Sequence, residues 1–443
     1  MATTAPDSHL SLMSSNLVTP PESTEPEGAA TSNPAVQSQV QPSPLFPPPP
    51  PQGSALEVLF AFLQLGLTSF GGPVAHLGYF RTEFVERRRW LSDQEYIELV
   101  ALCQFLPGPA SSQVGAALGL LRAGWRGALA AWAGFTLPSA VLLVLFALGV
   151  TQWAALGASG AVQGLKVAAV AVVAQAVWGM AKSLCPDRLR AGLAVVAALL
   201  VLGVPGAWGQ LAAIALGGLV GWRMLQISPL TRAQHRGYGV SRRTGAVLLA
   251  VFAALLVALP LWALVADSMV ASATAVFYQA GALVFGGGHV VLPLLQAGVV
   301  PPGWVGNDTF LAGYGAAQAV PGPLFTYAAY LGAVMPHPLG GWGGAALMLA
   351  TIFVPGLLLV AGALPFWEAL RQRPAVQRAV GGINAAVVGI LGAALYDPVW
   401  ISAIHSKADF ALALAAFGLL VHVRLSPVWV VGLAAVAGWW MGL

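Results

Sequence analysis

The residues best placed to do chemistry lie in Gln104-Phe105-Leu106-Pro107-Gly108-Pro109-Ala110-Ser111 and Gln318-Ala319-Val320-Pro321-Gly322-Pro323-Leu324-Phe325, each a Pro-Gly-Pro triplet inside an apolar run. A helix cannot stay regular there, because each proline removes an amide donor and crowds the preceding turn. Pro109 suits the first position of a new helix, where its missing N–H is not needed. The amides from Ala110 to Gln113 would then point into the break with the positive end of the helix dipole. Such a site favours an anion, above all an oxyanion with several acceptors. The plainer alternative is a kink, which prolines commonly give membrane helices.

Other groups recur beside a second kind of break. Phe70-Gly71-Gly72 and Phe285-Gly286-Gly287 follow Gln64 and Gln279. Glycine pairs let helices pack closely, and they also free backbone amides to line an anion-binding nest. Pro73 faces Gly288 across the two copies, so the pocket's two sides differ. Gln64, Gln104, Gln279 and Gln318 are either buried helix-to-helix ties or ligand contacts, since an amide inside a bilayer must be paired. Ser111, Ser112 and Thr326 are weaker candidates for the same role. His76 and His289 lie just past the glycines without aligning, and each is a packed ring or a proton-coupling group. Lys166 is the most deeply inserted cation; it snorkels or it serves an anion. Arg378 and Asn384 occupy comparable places in the second copy. Arg87-Arg88-Arg89 is topogenic and could also gather anions at a mouth.

The elements that must position these groups are membrane helices. The chain has 443 residues, 58% of them hydrophobic and 8% charged, far from the usual soluble mix. Cys103 and Cys185 encode neither a disulfide framework nor a thiolate cluster. Residues 1–54, without Lys or Arg and with a proline run from Pro47 to Pro51, read as a disordered tail. Apolar segments follow at 56–80, 94–121, 125–150, 159–182, 190–204 and 206–224. After a basic loop come 244–266, 269–297, 309–334, 342–366, 376–396, 406–423 and 427–442. The expected fold is therefore an all-α polytopic membrane protein of about 13 hydrophobic segments. No segment carries an acid near its middle, and no Walker, H-E-x-x-H or G-x-S-x-G pattern occurs, so neither a hydrolytic pump nor any other enzyme is indicated.

The segments form two repeats. Besides the breaks, Trp90 matches Trp304, Pro138 matches Pro355, and Ala161-Val162-Gln163 matches Ala375-Val376-Gln377. The loop holding Arg81, Arg87, Arg88 and Arg89 corresponds to 298–308, which has no Lys or Arg, so the positive-inside rule makes the repeats inverted. If the broken segments are re-entrant, the remaining basic loops also fall inside, and only Lys407 dissents. The expected organisation is a tail at 1–54, membrane repeat one at 55–224, a basic cytoplasmic loop with an inverting linker helix at 225–268, and membrane repeat two at 269–443.

Phe70-Gly71-Gly72-Pro73, the stretch Phe84 to Trp90, the first Pro-Gly-Pro run, Phe285-Gly286-Gly287-Gly288-His289 and Val320-Pro321-Gly322-Pro323 together resemble the chromate ion transporter family in its long, two-domain form. The resemblance covers about 55–443. It implies a secondary carrier in the inner membrane that exports chromate and confers chromate resistance, with sulfate as the chemically similar anion and no cofactor or nucleic-acid partner. A carrier of sulfate or another oxyanion, and a non-transporting scaffold, are the alternatives. The implied setting is a lipid bilayer with the tail on the cytoplasmic side, and a homodimer is an admissible assembly.

Overall fold

The structure is a computed structural model that describes residues 53–70, 72–153, 159–204, 207–226, 239–285, 290–367, 369 and 373–442. The tail expected at 1–54 lies outside the described residues except for Gly53 and Ser54, as do Gly71, Gly286, Gly287, Gly288 and His289.

Among the described residues the chain is helical, with no strand. Helix α1 (Ala55–Thr68) starts at Ser54, whose hydroxyl accepts the Glu57 N–H and satisfies one of the orphan amides of the first turn. Helix α2 (Gly72–Arg81) runs on into a π-helical turn at Thr82–Arg87. Helix α3 (Asp93–Phe105) begins with the reciprocal Ser92 and Glu95 capping box that its sequence predicts. Helix α4 (Ala110–Trp153) is interrupted at Ala123 and Gly124, where Gly124 takes a φ of +62° that a side chain would resist. Then come α5 (Ser159–Leu184), α6 (Arg188–Gly203), α7 (Ala207–Met224) and α8 (Arg242–Ala266). The rest of the chain supplies α9 (Met269–Leu283), α10 (Val291–Val299), α11 (Asn307–Ala319), α12 (Tyr327–Val334), α13 (Gly341–Ala363), α14 (Pro374–Ala394), α15 (Lys407–Gly418) and α16 (Pro427–Met441).

Among the described residues, five stretches are long and apolar enough to cross a bilayer: Ala110–Gly149, Gly160–Leu184, Arg242–Ala266, Gly341–Phe366 and Pro374–Ala403. The helices around the breaks are shorter. α1, α3, α9 and α11 have 14, 13, 15 and 13 residues. At a rise of about 1.5 Å per residue each reaches only about 20 Å, against about 30 Å of hydrocarbon. They end at the positions where the sequence places its helix breakers.

Small residues bring these half-helices against the long ones. Gly66 of α1 sits on the Gly134 and Phe135 backbone of α4, and Gly281 of α9 on Ile352 and Pro355 of α13. At either place a Cβ would run into main chain, so only glycine permits the approach. Phe62, Phe80, Phe84, Phe135 and Trp90 fill the space beside α1 with stacked and edge-on rings.

The outer bundle is exchanged between the first and second parts of the chain. Gly160 and Gly164 of α5 pack on Gly438 and Ala434 of α16, whereas Gly217 and Gly221 of α7 pack on Gly382 of α14. Helix α8 exposes Val247, Leu261, Leu264 and Val265, an apolar surface suited to lipid.

Candidate functional site

The first Pro-Gly-Pro break separates α3 from α4, and its chain direction is reset by Gly108 at a φ of +121°. The Gly108 N–H donates to the Val284 carbonyl at 2.7 Å, and Val284 is the residue that ends α9. The second break separates α11 from α12, with Gly322 at a φ of +97°. Its N–H donates to the Ser69 carbonyl at 2.9 Å, and Ser69 ends α1. Each triplet is thus bonded to the carbonyl before the glycine-rich break of the other part of the chain. Backbone groups left over by four interrupted helices satisfy one another in pairs, as they must away from water.

Side chains complete the junction. The Gln113 amide nitrogen donates to Pro107 O at 2.9 Å and to Gly356 O at 3.2 Å. Two carbonyl acceptors fix which end of that amide carries the hydrogens. The Ser139 hydroxyl donates to the Pro321 carbonyl. Gly108 leaves no room for a Cβ, which would lie 2.8 Å from Gln113 Nε2 and 3.2 Å from the Gly356 Cα, and a Cβ on Gly322 would overlap Ser139 Oγ. Gln113 and Ser139 are the site residues that sequence reasoning missed as side-chain donors. Their signal was position: Gln113 four residues after Pro109, and Ser139 immediately after Pro138 inside a long helix.

The first N–H groups of α4 have no intrahelical acceptor, as at any helix start, and Pro109 and Gly108 are buried in front of them. Several polar side-chain atoms on the elements that meet here are buried and without a hydrogen-bond partner: Ser69 Oγ, both His76 nitrogens, Ser112 Oγ and Thr136 Oγ1. His76 is 1% exposed and meets the Phe135 ring edge-on at 5.2 Å. Ser111 is buried beside Ser112 at the start of α4. Unpaired buried donors cost free energy, and a bound oxyanion is one way to satisfy them.

The other expected site residues fall in different places. Pro107 is half-buried, and Pro109, Pro321 and Pro323 are buried within the two tips. Gly72 opens α2 at a φ of +78°. Gln64 and Gln104 lie on exposed faces of α1 and α3, away from the junction's buried atoms, while Gln279 and Gln318 are half-buried. Gln318 pairs with the Tyr314 hydroxyl. Thr326 turns back on Pro323 O at 2.7 Å. Lys166 is 8% exposed and forms an ion pair with Asp308 at 3.0 Å, on the N-terminal turn of α11 rather than at a Pro-Gly-Pro tip.

The arginines beside α2 are occupied. Glu83, itself buried, takes both Arg87 and Arg88 at 2.6 Å, and Arg122 pairs with Glu57 at 3.0 Å while lying over the Trp90 ring. Arg81 bonds Asp93 and Glu86, and the Asp93 hydrogen bond raises its pKa further above the ordinary value. These pairs tie α2 to α3 and α1 to α4, so most of the charge on this face is not available to gather anions. Lys182 over Trp178 and Arg223 over Trp222 place cations against aromatic rings as membrane-interface anchors do.

A family model described as the chromate transporter matches the chain twice, at residues 56–222 and 271–439. A chromate transport protein of Pseudomonas aeruginosa is 30% identical over 414 residues, covering 88% of this chain and 93% of that one. One from Cupriavidus metallidurans is 30% identical over 396 residues, covering 86% and 92%. A probable chromate transport protein of Synechococcus elongatus is 27% identical over 382 residues, covering 85% and 93%. No solved structure gives a significant match.

Proposed function

The chain belongs to the chromate transporter family, and on that premise we propose that it is a secondary carrier exporting chromate from the cytoplasm through a site at the Pro-Gly-Pro junction. The two matched stretches act as inverted repeats, with the four broken segments re-entrant and α8 as the helix that reverses the second repeat. The observation that carries this reading is the reciprocal pair of bonds, Gly108 N–H to Val284 O and Gly322 N–H to Ser69 O. It supports a site shared by both repeats, because neither tip is satisfied by its own part of the chain.

The chemistry of the junction suits a tetrahedral oxyanion. The start of α4 offers amide donors and the positive end of a helix dipole, and Ser112, Ser69, Thr136 and His76 offer buried polar atoms without partners. None of these four residues carries a carboxylate that would repel an anion. His76 is the titratable side chain in this set and is the group we assign to proton coupling. Because the outer bundle is exchanged between the repeats, the motion that alternates access moves the junction against that bundle rather than one repeat against the other.

Vesicles reconstituted with the purified chain test the reading. Saturable chromate flux above that of empty vesicles is expected, with sulfate as a competing anion. Flux equal to empty vesicles would refute transport, and flux that never saturates would indicate a channel.

A further inference from the structure

Away from the breaks, α5 turns Gln163 and Lys166, one helical turn apart, toward the first turn of α11 and the loop before α15. Lys166 is almost enclosed, with its side chain 10% exposed, and among the described residues its partner is the Asp308 carboxylate at 3.0 Å. That carboxylate is 74% exposed. The two halves of the ion pair are therefore unequal: the ammonium is fixed in a dry setting, and the carboxylate is free to swing into water.

A second acid lies close by but is fully engaged. Asp409 accepts hydrogen bonds from the His405 and Ser406 amides, the Ser406 hydroxyl and the Gln163 side chain. Its Oδ1 is taken up by Gln163, and Lys166 pairs with Asp308 instead. Asp308 also stands in the first turn of α11, whose N-cap, Gly306, provides no side-chain cap. A carboxylate held between a buried ammonium and an uncapped helix N-terminus occupies the donor set that a free oxyanion would use.

We propose that Lys166 and the amino end of α11 form a second oxyanion site, one that Asp308 fills in this conformation and yields to chromate at the outer mouth. The inference rests on the transport reading and on its re-entrant topology, which puts the basic loop after α5 inside and so the Lys166 end of α5 outside. Exchange of one anion for another spares the lysine an unpaired interval in the apolar layer. Return of the tethered carboxylate then expels the bound anion, which favours release outward.

The test is chromate uptake into right-side-out membrane vesicles containing the full chain, with protein amount and thermal stability checked for each variant. Asp308→Asn removes the competitor and is expected to lower the outer half-saturating chromate concentration several-fold while slowing maximal flux. Lys166→Met removes the cation and is expected to raise that concentration several-fold. Opposite shifts support the site; shifts in the same direction, or none, overturn it and leave a structural ion pair. Restoration of wild-type half-saturation by Lys166→Asp combined with Asp308→Lys would likewise overturn it, because the exchanged pair keeps the contact and reverses the site. Chromate binding to the detergent-solubilised Asp308→Asn chain, expected to be tighter than wild type, reads the site without flux. Wild-type vesicles lacking chromate flux while that binding shift persists would overturn the transport reading and retain the site.

Discussion

The two Pro-Gly-Pro tips share a sequence but not a means of support. At the first, Gln113 reaches back across its own break to Pro107 O and onward to Gly356 O. At the second, the residue four places after Pro323 is Tyr327, whose hydroxyl goes instead to Phe310 O, and the tip is held by Ser139 from α4. The residue after Pro355 that corresponds to Ser139 is Gly356, which contributes only backbone. Both side-chain donors at the junction therefore come from the first matched stretch, and the second supplies carbonyls and closely packed rings. The helix starts differ as well, since α4 begins directly after Pro109 whereas α12 is preceded by a single 3-10 turn at Leu324–Thr326. Matched backbone bonds with unmatched side chains give a junction with two distinguishable faces, which a vectorial carrier needs.

That contrast can be broken most severely at the glycines. Gly322→Ala and Gly108→Ala each force a side chain into positive φ, at about 1–2 kcal/mol, and also press a Cβ on the clamp of that tip. Chromate flux per folded protein should fall about tenfold or more, each 1.36 kcal/mol being about tenfold in rate. Gln113→Leu comes next. It leaves two carbonyls without this donor, at about 1–3 kcal/mol each, and should lower the melting temperature in detergent more than Tyr327→Phe, which removes one hydroxyl bond. Ser139→Ala removes one donor from the second tip and should cost about 1 kcal/mol, read as a smaller melting shift that leaves the first tip intact. Thr326→Val has the smallest expected effect, within about 1 kcal/mol, because it removes only a local turn bond. Should Ser139→Ala prove more damaging than Gln113→Leu, the contrast between the tips would have to be redrawn.

Much of this architecture is legible in the residues. The helix breakers at Pro107–Pro109 and Pro321–Pro323 mark real interruptions, since proline and glycine act through local sterics that tertiary context rarely overrides. The capping box at Ser92 and Glu95 forms as its spacing requires. The apolar, all-helical character is legible for the same reason, since bilayer burial is a property of composition and length, but the count of about 13 segments is not: among the described residues five helices are long and apolar enough to span, and α4 runs across parts of two expected segments. What was not legible is which face each helix turns inward. Gln64 sits on the largely apolar α1 and Gln104 on α3, whose polar residues are spread around the helix, so no single stripe marks the inward face, and both proved exposed. Gln113 and Ser139 escaped notice as clamps because their partners lie 243 and 182 positions away in the chain. The Lys166 contact is long-range too, and Asp308 reads locally as an ordinary first-turn acid of α11.

The central claim is that the reciprocal junction is where chromate passes. Its most direct test is chromate flux into vesicles carrying equal amounts of folded wild-type, Gly108→Ala and Gly322→Ala chain. The account expects saturable flux in the wild type and near-background flux in both variants. Variant flux equal to that of the wild type would contradict it.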